Sequence, residues 1–470
     1  MRTYILNTLD KTYTIKTINL LFLLWGFTFI FGSKIGSYKL ESFTIFPNLI
    51  VGLLFVPLII IKFKSIGFYT KTFCVILLLT LAYSYIWILI YGPNFESVFD
   101  FRSLIFYIFS FLILAVTSEL LGPKKFIDLV KIILWIYLFI ILFFGIFEII
   151  SGYHFEGTFT NKLLHTGYSL VDYSPVFIFD NPNDYMMNLF LIIFNLGFID
   201  KSLFHKKPIL FLILLLICLI FSIYSLARIG YIVIFLASLI ILTYFYTKST
   251  IYSVRRNTKH IIWIGVIISI LFLLVYQNNF FFGKPKDDIN AYLYNSKIVV
   301  KYPTYYEAID ALMLPDKEKR MVNTAINNVA SNTGYNSEDV RLNLLKNGVF
   351  LIQNNPILGV GPGQYQVHSK LKKVPYDIGT NSSPHNYLIE MISNYGILGW
   401  IYFLFLLFMF ILTVRMHYYT KQGFWLLLGL VIYALVSFLP SAFLYQPMNW
   451  MFTSLWIIIF EMKKSQKIYF

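Results

Sequence analysis

Long apolar runs repeat along most of the chain, and they restrict the possible folds more than any other feature of the sequence. They cover residues 18–32, 43–61, 73–91, 103–118, 128–151, 184–200, 208–225, 230–247, 261–276, 388–414, 424–440 and 445–461. Most approach the roughly 20 residues that a helix needs to cross a bilayer. A mean hydropathy of +0.70 and only 13% charged residues exclude a soluble globular protein. The sequence therefore predicts an all-α polytopic membrane protein with about 12 transmembrane helices.

The distribution of basic residues predicts how these helices are oriented. With the N-terminus in the cytoplasm, the inward segments hold 21 Lys and Arg residues and the short outward connections hold 5. This asymmetry is the one that the positive-inside rule requires. It also accounts for much of the net charge of +15 without a nucleic-acid partner. Both termini are therefore predicted to be cytoplasmic, and the long polar segment is predicted to lie outside the cytoplasm.

Three regions follow from this topology. Residues 1–276 are predicted to form transmembrane helices 1–9, residues 277–386 a large extracytoplasmic loop that carries catalytic residues, and residues 387–470 transmembrane helices 10–12. Within the loop, apolar spacing predicts one helix over about residues 317–329. A second helix is predicted from Val340 to Ile352, ending before Pro356.

The segment SSPHNYLIE contains a candidate general base. It predicts Ser383 as a helix N-cap, Pro384 at the first helical position and His385 in the first turn. The positive end of a helix dipole disfavours an imidazolium, so His385 is expected to stay neutral near pH 7 and to accept a proton. The alternative is a histidine that only caps or solvates the helix end. Three further histidines are also predicted to face outward, namely His154, His165 and His368.

Two arginines are candidates for binding phosphate. Arg341 lies on the predicted loop helix, and Arg228 lies where two spans turn back at the outer face. A planar guanidinium suits bidentate contacts with phosphate oxygens, so both side chains suit a lipid diphosphate. The alternatives are a solvated helix face for Arg341 and contact with phospholipid headgroups for Arg228.

Glycines and amides form two further candidate binding segments. NPILGVGPGQY supplies Gly359, Gly361 and Gly363, which permit close approach of the backbone to a ligand. FDNPNDYMMN supplies Asn181 and Asn183, which suit a sugar hydroxyl or a helix cap. The outward loops have no Asp-x-Asp pair, and no His, Cys or carboxylate spacing is typical of a metal site. The sequence therefore predicts neither a metal nor a cofactor.

These motifs resemble the O-antigen ligase and polymerase superfamily of bacterial surface-polysaccharide assembly, which includes the Wzy-type polymerases. The resemblance covers the plan of about 12 spans with one large outward loop before the last few. It also covers NPN at residues 181–183, the turn at Arg228, the Arg341 helix running into NPILGVGPGQY, and PHNYLIEMISNYGILGW. The chain departs from the family pattern at Ala227, where Ser is common, and at Leu345, near which an aromatic residue is common.

The resemblance implies a metal-independent glycosyltransferase that uses an undecaprenyl-diphosphate-linked glycan as donor. It implies that Arg228 and Arg341 bind the diphosphate and that His385 deprotonates the attacking hydroxyl of the acceptor sugar. Asn386 belongs to the same PHN motif and is expected to contact the substrate. The resemblance also implies a bacterial cytoplasmic-membrane location, with flippase and chain-length regulator proteins as partners.

Three functions remain open at this point. The leading one is a polymerase that joins lipid-linked repeat units on the outer face of the membrane. The second is a ligase that transfers the finished glycan to a terminal acceptor, and no residue separates it from the first. The third is a transporter or flippase, which is disfavoured because the two halves of the chain show no repeat.

Overall fold

The computed structural model describes residues 11–31, 38–40, 43–45, 47–151, 177, 182–199, 213–214, 216–218, 220–221, 337–376, 378, 384, 386–417 and 447–466. The chain divides into two compact units. The first comprises residues 1–140, 191–206 and 341–470, and the second comprises residues 141–190 and 207–340. The predicted helix at 317–329 and the predicted spans at 230–247, 261–276 and 424–440 lie outside the described residues.

The described parts of the chain are almost entirely helical. The helices are α1 (Lys11–Phe31), α2 (Pro47–Leu53), α3 (Val56–Lys62), α4 (Phe68–Tyr91), α5 (Phe95–Leu121), α6 (Pro123–Ser151), α7 (Pro182–Ile199), α8 (Ser337–Asn354), α9 (Gln364–Lys370), α10 (Tyr387–Tyr395), α11 (Ile397–His417) and α12 (Pro447–Gln466). A short 3-10 helix, Phe63–Ser65, follows α3. Strands β1 (Tyr38–Leu40) and β2 (Phe43–Ile45) pair in antiparallel register, with Tyr38 opposite Ile45.

The structure supports a helical membrane protein. Within the described ranges, four helices are long and apolar enough to cross a bilayer, namely α4, α5, α6 and α11. The pair α2 and α3 would make a fifth span, although it bends by 48° at the break between its two halves. Pro57 lies at the start of α3 and cannot donate the backbone hydrogen bond that would continue α2. The full count of about 12 spans remains a prediction.

The first unit is built around α5. This helix contacts α1, α2, α3, α4, α9 and α12, and its inner face is formed by fully buried side chains that include Leu104, Tyr107 and Phe111. Its start is set locally, because Asn94 and Ser97 form a reciprocal capping box. The same cap fixes the first turns of α5 at one end of the unit, and these turns carry the acidic residues Glu96 and Asp100.

The opposite end of the first unit carries lysines around the start of α4 and at the end of α12, which include Lys64, Lys71 and Lys464. At the start of α4, the Glu461 carboxylate of α12 accepts hydrogen bonds from the amides of Tyr69 and Thr70 at 2.7 and 3.2 Å, and Lys464 donates to the Tyr69 hydroxyl. Near the other end of α4, the Tyr83 hydroxyl donates to the Leu358 carbonyl at 2.7 Å. The 14 residues from Tyr69 to Tyr83 span roughly 20 Å along a helix. The segment after α8 therefore packs at the end of the helices that is remote from these lysines.

The predicted span at 388–414 is two helices, and this prediction was wrong in its first third. The nine residues of α10 are too short to cross a bilayer, and α11 begins after a break at Gly396, whose φ is +54°. Apolar composition alone does not reveal this break. The prediction for α8 is confirmed, since the helix runs through Val340 and Ile352 and ends before Pro356.

In the second unit, a buried carboxylate fixes the chain near one end of α6. Glu148 is fully buried, and one of its oxygens accepts a hydrogen bond from the Phe177 amide at 2.7 Å. Phe177 has a φ of +51°, and its ring stacks on Phe144. The hydroxyl of Tyr185 on α7 donates to the Ile141 carbonyl at 2.8 Å. These contacts tie the start of α7 to α6.

Candidate functional site

The turn between α8 and α9 is held in place by backbone hydrogen bonds to the end of α10. The amide of Val360 donates to the Ser393 carbonyl at 2.8 Å, and the amide of Gly361 donates to the Asn394 carbonyl at 3.0 Å. The Asn394 side chain in turn accepts a hydrogen bond from the Tyr365 amide. Since Asn394 is only 1% exposed, the turn and the helix end form one continuous buried contact.

The three glycines of this turn are required by close packing. All three have positive φ values, of +71° for Gly359, +106° for Gly361 and +66° for Gly363. A Cβ at Gly359 would lie 2.6 Å from the backbone of Asn394, and a Cβ at Gly363 would lie 2.7 Å from the backbone of Glu96. Gly361 packs against the Trp87 ring.

The predicted substrate contacts of these glycines stay a prediction. The Gly359 and Gly361 amides donate to the Asn355 and Asn394 carbonyls, so both amides are already used in hydrogen bonds within the protein.

Helix α8 presents Arg341 on an exposed surface. The helix is anchored on its other side by Leu344 and Asn347, both of which are 0% exposed. The Tyr365 hydroxyl donates to the Leu344 carbonyl at 2.7 Å, and burial raises the pKa of this hydroxyl. Asn347 forms paired hydrogen bonds with the backbone of Tyr376 at 2.8 and 3.0 Å. These buried contacts fix the orientation of α8 and hence the position from which the guanidinium extends.

Helix α10 starts three residues later than the sequence predicted. The N-cap is Asn386, whose side-chain oxygen accepts a hydrogen bond from the Ile389 amide at 3.0 Å. The predictions of Ser383 as the cap and of Pro384 and His385 in the helix were therefore wrong. Asparagine is among the strongest N-cap residues, and it satisfies an amide that the first turn would otherwise leave unpaired. His385 itself lies outside the described residues, directly before the cap in the chain. The capping role of Asn386 leaves its predicted substrate contact as a prediction.

Buried polar side chains join α10 to α9 and α5. Glu390, which is 4% exposed, accepts a hydrogen bond from the Gln366 side-chain amide at 2.5 Å. Asp100, which is 2% exposed, accepts one from the Tyr395 hydroxyl at 3.2 Å. At the edge, Glu96 pairs with Lys370 at 2.5 Å. Three acidic residues thus lie at one end of the first unit, and Glu96 forms an ion pair with Lys370.

Burial changes the protonation of Glu390 and of His368. It raises the pKa of Glu390 to about 8, and the negative charges of Asp100 and Glu96 add to the rise, while the hydrogen bond from Gln366 opposes it. Glu390 is therefore mainly protonated at neutral pH. Burial and the nearby Lys373 lower the pKa of His368 on α9, so this imidazole is mainly neutral at the same pH.

The structure brings together only part of the predicted site. The stretch with Gly359, Gly361, Gly363 and Asn386 packs into one assembly with α8, which carries Arg341. Arg228, Asn181 and His385 lie outside the described residues, and Asn183 is described only as part of α7. In the described ranges, no three His, Cys, Asp or Glu residues come together as a metal site would require.

Sequence reasoning missed the polar residues that tie α10 to its neighbours. Glu390 stands beside Met391 in the sequence, on the buried side of a helix that also buries Tyr387 and Asn394. A carboxylate in register with buried positions was the available signal. Its partners Gln366 and Asp100 were not predictable in the same way, because they come from other elements.

The segment that contains Gln366 and Glu390 matches a known protein family. The O-antigen ligase family model matches residues 211–404, which include α8, the glycine turn, α9, α10 and the start of α11. The match over these residues supports the O-antigen ligase and polymerase superfamily for this chain. The resemblance drawn from the sequence is thereby confirmed. No curated protein is significantly similar to this chain.

Proposed function

We propose that this member of the O-antigen ligase and polymerase superfamily polymerises undecaprenyl-diphosphate-linked oligosaccharide repeat units on the outer face of the bacterial cytoplasmic membrane. The family match over residues 211–404 is the observation that carries the proposal. It covers Arg341, the glycine turn and the helix that Asn386 caps. Both chain termini lie in the cytoplasm in this proposal, and flippase and chain-length regulator proteins act before and alongside the enzyme.

The position of the assembly supports an outward-facing reaction. The turn after α8 packs near the end of α4 that is remote from Lys464 and the neighbouring lysines. If the lysine-rich end faces the cytoplasm, as the positive-inside rule favours, then α8, α9 and α10 lie at the outer end of the helices. Repeat units would reach this end after translocation of their lipid carrier.

The chemistry requires stabilisation of a leaving diphosphate and removal of one proton. In the proposed mechanism, the acceptor hydroxyl attacks the anomeric carbon of the donor sugar, and the bond from this carbon to the diphosphate oxygen breaks. Arg341 and Arg228 bind the diphosphate and stabilise its charge as the bond breaks. His385 takes the hydroxyl proton, a role typically worth about 10² to 10⁴ in rate. No metal or nucleotide takes part in this scheme.

A ligase is the second candidate, because the family description itself names that activity. Both reactions use the same donor chemistry and differ only in acceptor. A polymerase transfers the growing chain to another lipid-linked unit, whereas a ligase transfers the finished glycan to a terminal acceptor.

The glycans that accumulate without the protein separate these functions. In a deletion strain, lipid-linked single repeats on the outer face would support a polymerase, and full-length lipid-linked chains would indicate a ligase. Repeats that remain on the cytoplasmic face would instead indicate a flippase and contradict the proposal. The direct test is purified protein with a lipid-diphosphate repeat unit as the only substrate, for which we expect a ladder of longer glycans.

A further inference from the structure

Helix α10 is tied to two neighbouring helices by hydrogen bonds through acidic side chains. Gln366 of α9 donates to one oxygen of Glu390 at 2.5 Å, and the hydroxyl of Tyr395 donates to Asp100 of α5. The other oxygen of Glu390 is buried without a hydrogen-bond partner among the described residues. A charged carboxylate in this position would leave one oxygen desolvated and unpaired, whereas the neutral acid reduces that cost.

The groups around Glu390 also oppose its ionisation. Asp100 and Glu96 approach from α5, and Lys370 of α9 is already paired with Glu96. Tyr365 of α9 and Tyr395 of α10 are buried neutral hydroxyls whose pKa values Glu390 raises further. In α11, the helix that follows α10, the nearest basic residue in sequence is Arg415, close to its far end.

The backbone connects this cluster to the start of α10. The amide of Glu390 donates to the Asn386 carbonyl at 2.9 Å, and the Asn386 side chain caps the same turn. One helical turn therefore separates the buried carboxyl from the residue that directly follows His385. A displacement of α10 at Glu390 would move the N-terminal turn with it, because a short helix moves as a rigid element.

We propose that Glu390 is a positioning residue whose neutral form holds α10 against α9 and α5, so that the N-terminal turn at Asn386 is correctly placed for glycosyl transfer. This inference rests on the proposed function and adds a residue to it. Ionisation of Glu390 introduces a negative charge beside Asp100 and Glu96 and weakens the contact between α10 and α5. The protein thus carries a built-in loss of activity at alkaline pH.

The pH dependence of turnover tests this role. Since the pKa of Glu390 is about 8, the wild-type rate should fall about tenfold from pH 7 to pH 9 as one proton is lost. Glu390→Gln keeps the shape and cannot ionise, so it should retain activity at pH 7 and lack this alkaline fall. Asp128→Asn, which removes an acid whose side chain is 55% exposed, is the matched control and should keep the fall. An alkaline fall that is unchanged in Glu390→Gln would overturn the proposal.

A second variant tests the charge coupling. Asp100→Asn can still accept the hydrogen bond from Tyr395, but it removes a negative charge that raises the pKa of Glu390. The alkaline fall should therefore move to lower pH in this variant. A fall at the wild-type pH would contradict the coupling, and this outcome can be read even if Glu390→Gln does not fold.

Two measurements without substrate separate this inference from the proposed enzyme activity. Infrared difference spectra of the wild-type protein should show a protonated carboxyl band at pH 7 that is lost on titration to pH 9 and is absent in Glu390→Gln.

Thermal stability provides the second measurement. The folded protein holds the proton between pH 4.5 and about pH 8, where the unfolded chain does not, so the contribution of Glu390 to stability falls as pH rises through that window.

The melting temperature of Glu390→Gln should accordingly rise relative to wild type between pH 5 and pH 8. If the purified protein transfers no glycan at any pH and these two signatures are present, the proposed function fails while the protonated state of Glu390 stands. A wild-type carboxyl band that persists in Glu390→Gln would overturn the inference itself.

Discussion

The backbone amide of Ile397 donates a hydrogen bond to the carbonyl oxygen of Ile357 at 2.9 Å. This bond joins the first residue of α11 to the turn that follows α8. The residue between α10 and α11 is Gly396, which has a φ of +54° and whose missing side chain leaves room for the Ile357 carbonyl. The break that converts a predicted long span into two helices therefore depends on a residue without a Cβ.

We expect Gly396→Ala to lower the free energy of unfolding by about 2 kcal/mol or more. Strain from its backbone conformation costs roughly 1–3 kcal/mol, and the new Cβ would also collide with the Ile357 carbonyl. Gly92→Ala is the matched control, because Gly92 also has a positive φ, of +82°, but nothing lies within 4 Å of its missing Cβ. Denaturation of both variants in the same detergent measures the difference, and equal losses would show that the collision is relieved.

Arg341→Ala should reduce glycan formation by about 10² to 10³ at normal protein levels, because the leaving diphosphate loses a charged partner. Arg341→Lys should restore little activity, since an ammonium cannot make the bidentate contact. Lys346→Ala removes another exposed cation from α8, where the ammonium lies over the Tyr376 ring, and should keep activity within about threefold. The assay is polymer yield from purified protein. Full activity of Arg341→Ala would remove this arginine from the site.

His385→Gln should lose about 10² or more of the rate, because glutamine cannot accept the proton. In wild type, activity should rise with pH through the acid limb as the imidazole loses its proton, and this limb should be absent in the variant. His368→Gln is the control, since burial and Lys373 already lower the pKa of His368. It should keep the limb. A limb that disappears only in His368→Gln would move the base to α9.

Cysteine labelling tests the predicted sidedness. Cysteines introduced at Asn290 and at Leu371, which is 57% exposed after α9, should react with an impermeant thiol reagent in intact cells. A cysteine at Ser465, beyond the lysine-rich end of α12, should react only after permeabilisation. Native Cys74 and Cys218 are buried and should give little background. Labelling of the cysteine at position 465 but not of the one at position 371 in intact cells would show that the orientation is opposite to the predicted one.

Local sequence features predicted the helices and many residues of the segment from Arg341 to Trp400. Apolar runs of near-membrane length mark α4, α5 and α6, because a helix in lipid must satisfy its backbone internally and present apolar side chains all round. Pro356 and the preceding apolar spacing placed the end of α8 within a few residues. The motifs from Arg341 to Trp400 were sufficient to indicate the superfamily. All of these signals lie within a few turns of one another in the chain.

The sequence by itself thus determined a helical membrane protein and its superfamily, because periodicity and short motifs are properties of neighbouring residues. Only the tertiary structure decided that Gly396 breaks a helix, since the Ile357 carbonyl that occupies its side-chain space comes from another segment. It likewise decided that the Tyr395 hydroxyl donates a hydrogen bond to Asp100, which is 295 positions away in the sequence. It also placed Glu390 in a buried position near Asp100 and Glu96. Such pairings follow from how the helices pack, and the resulting desolvation changes the chemistry of a carboxyl that looks ordinary in the sequence.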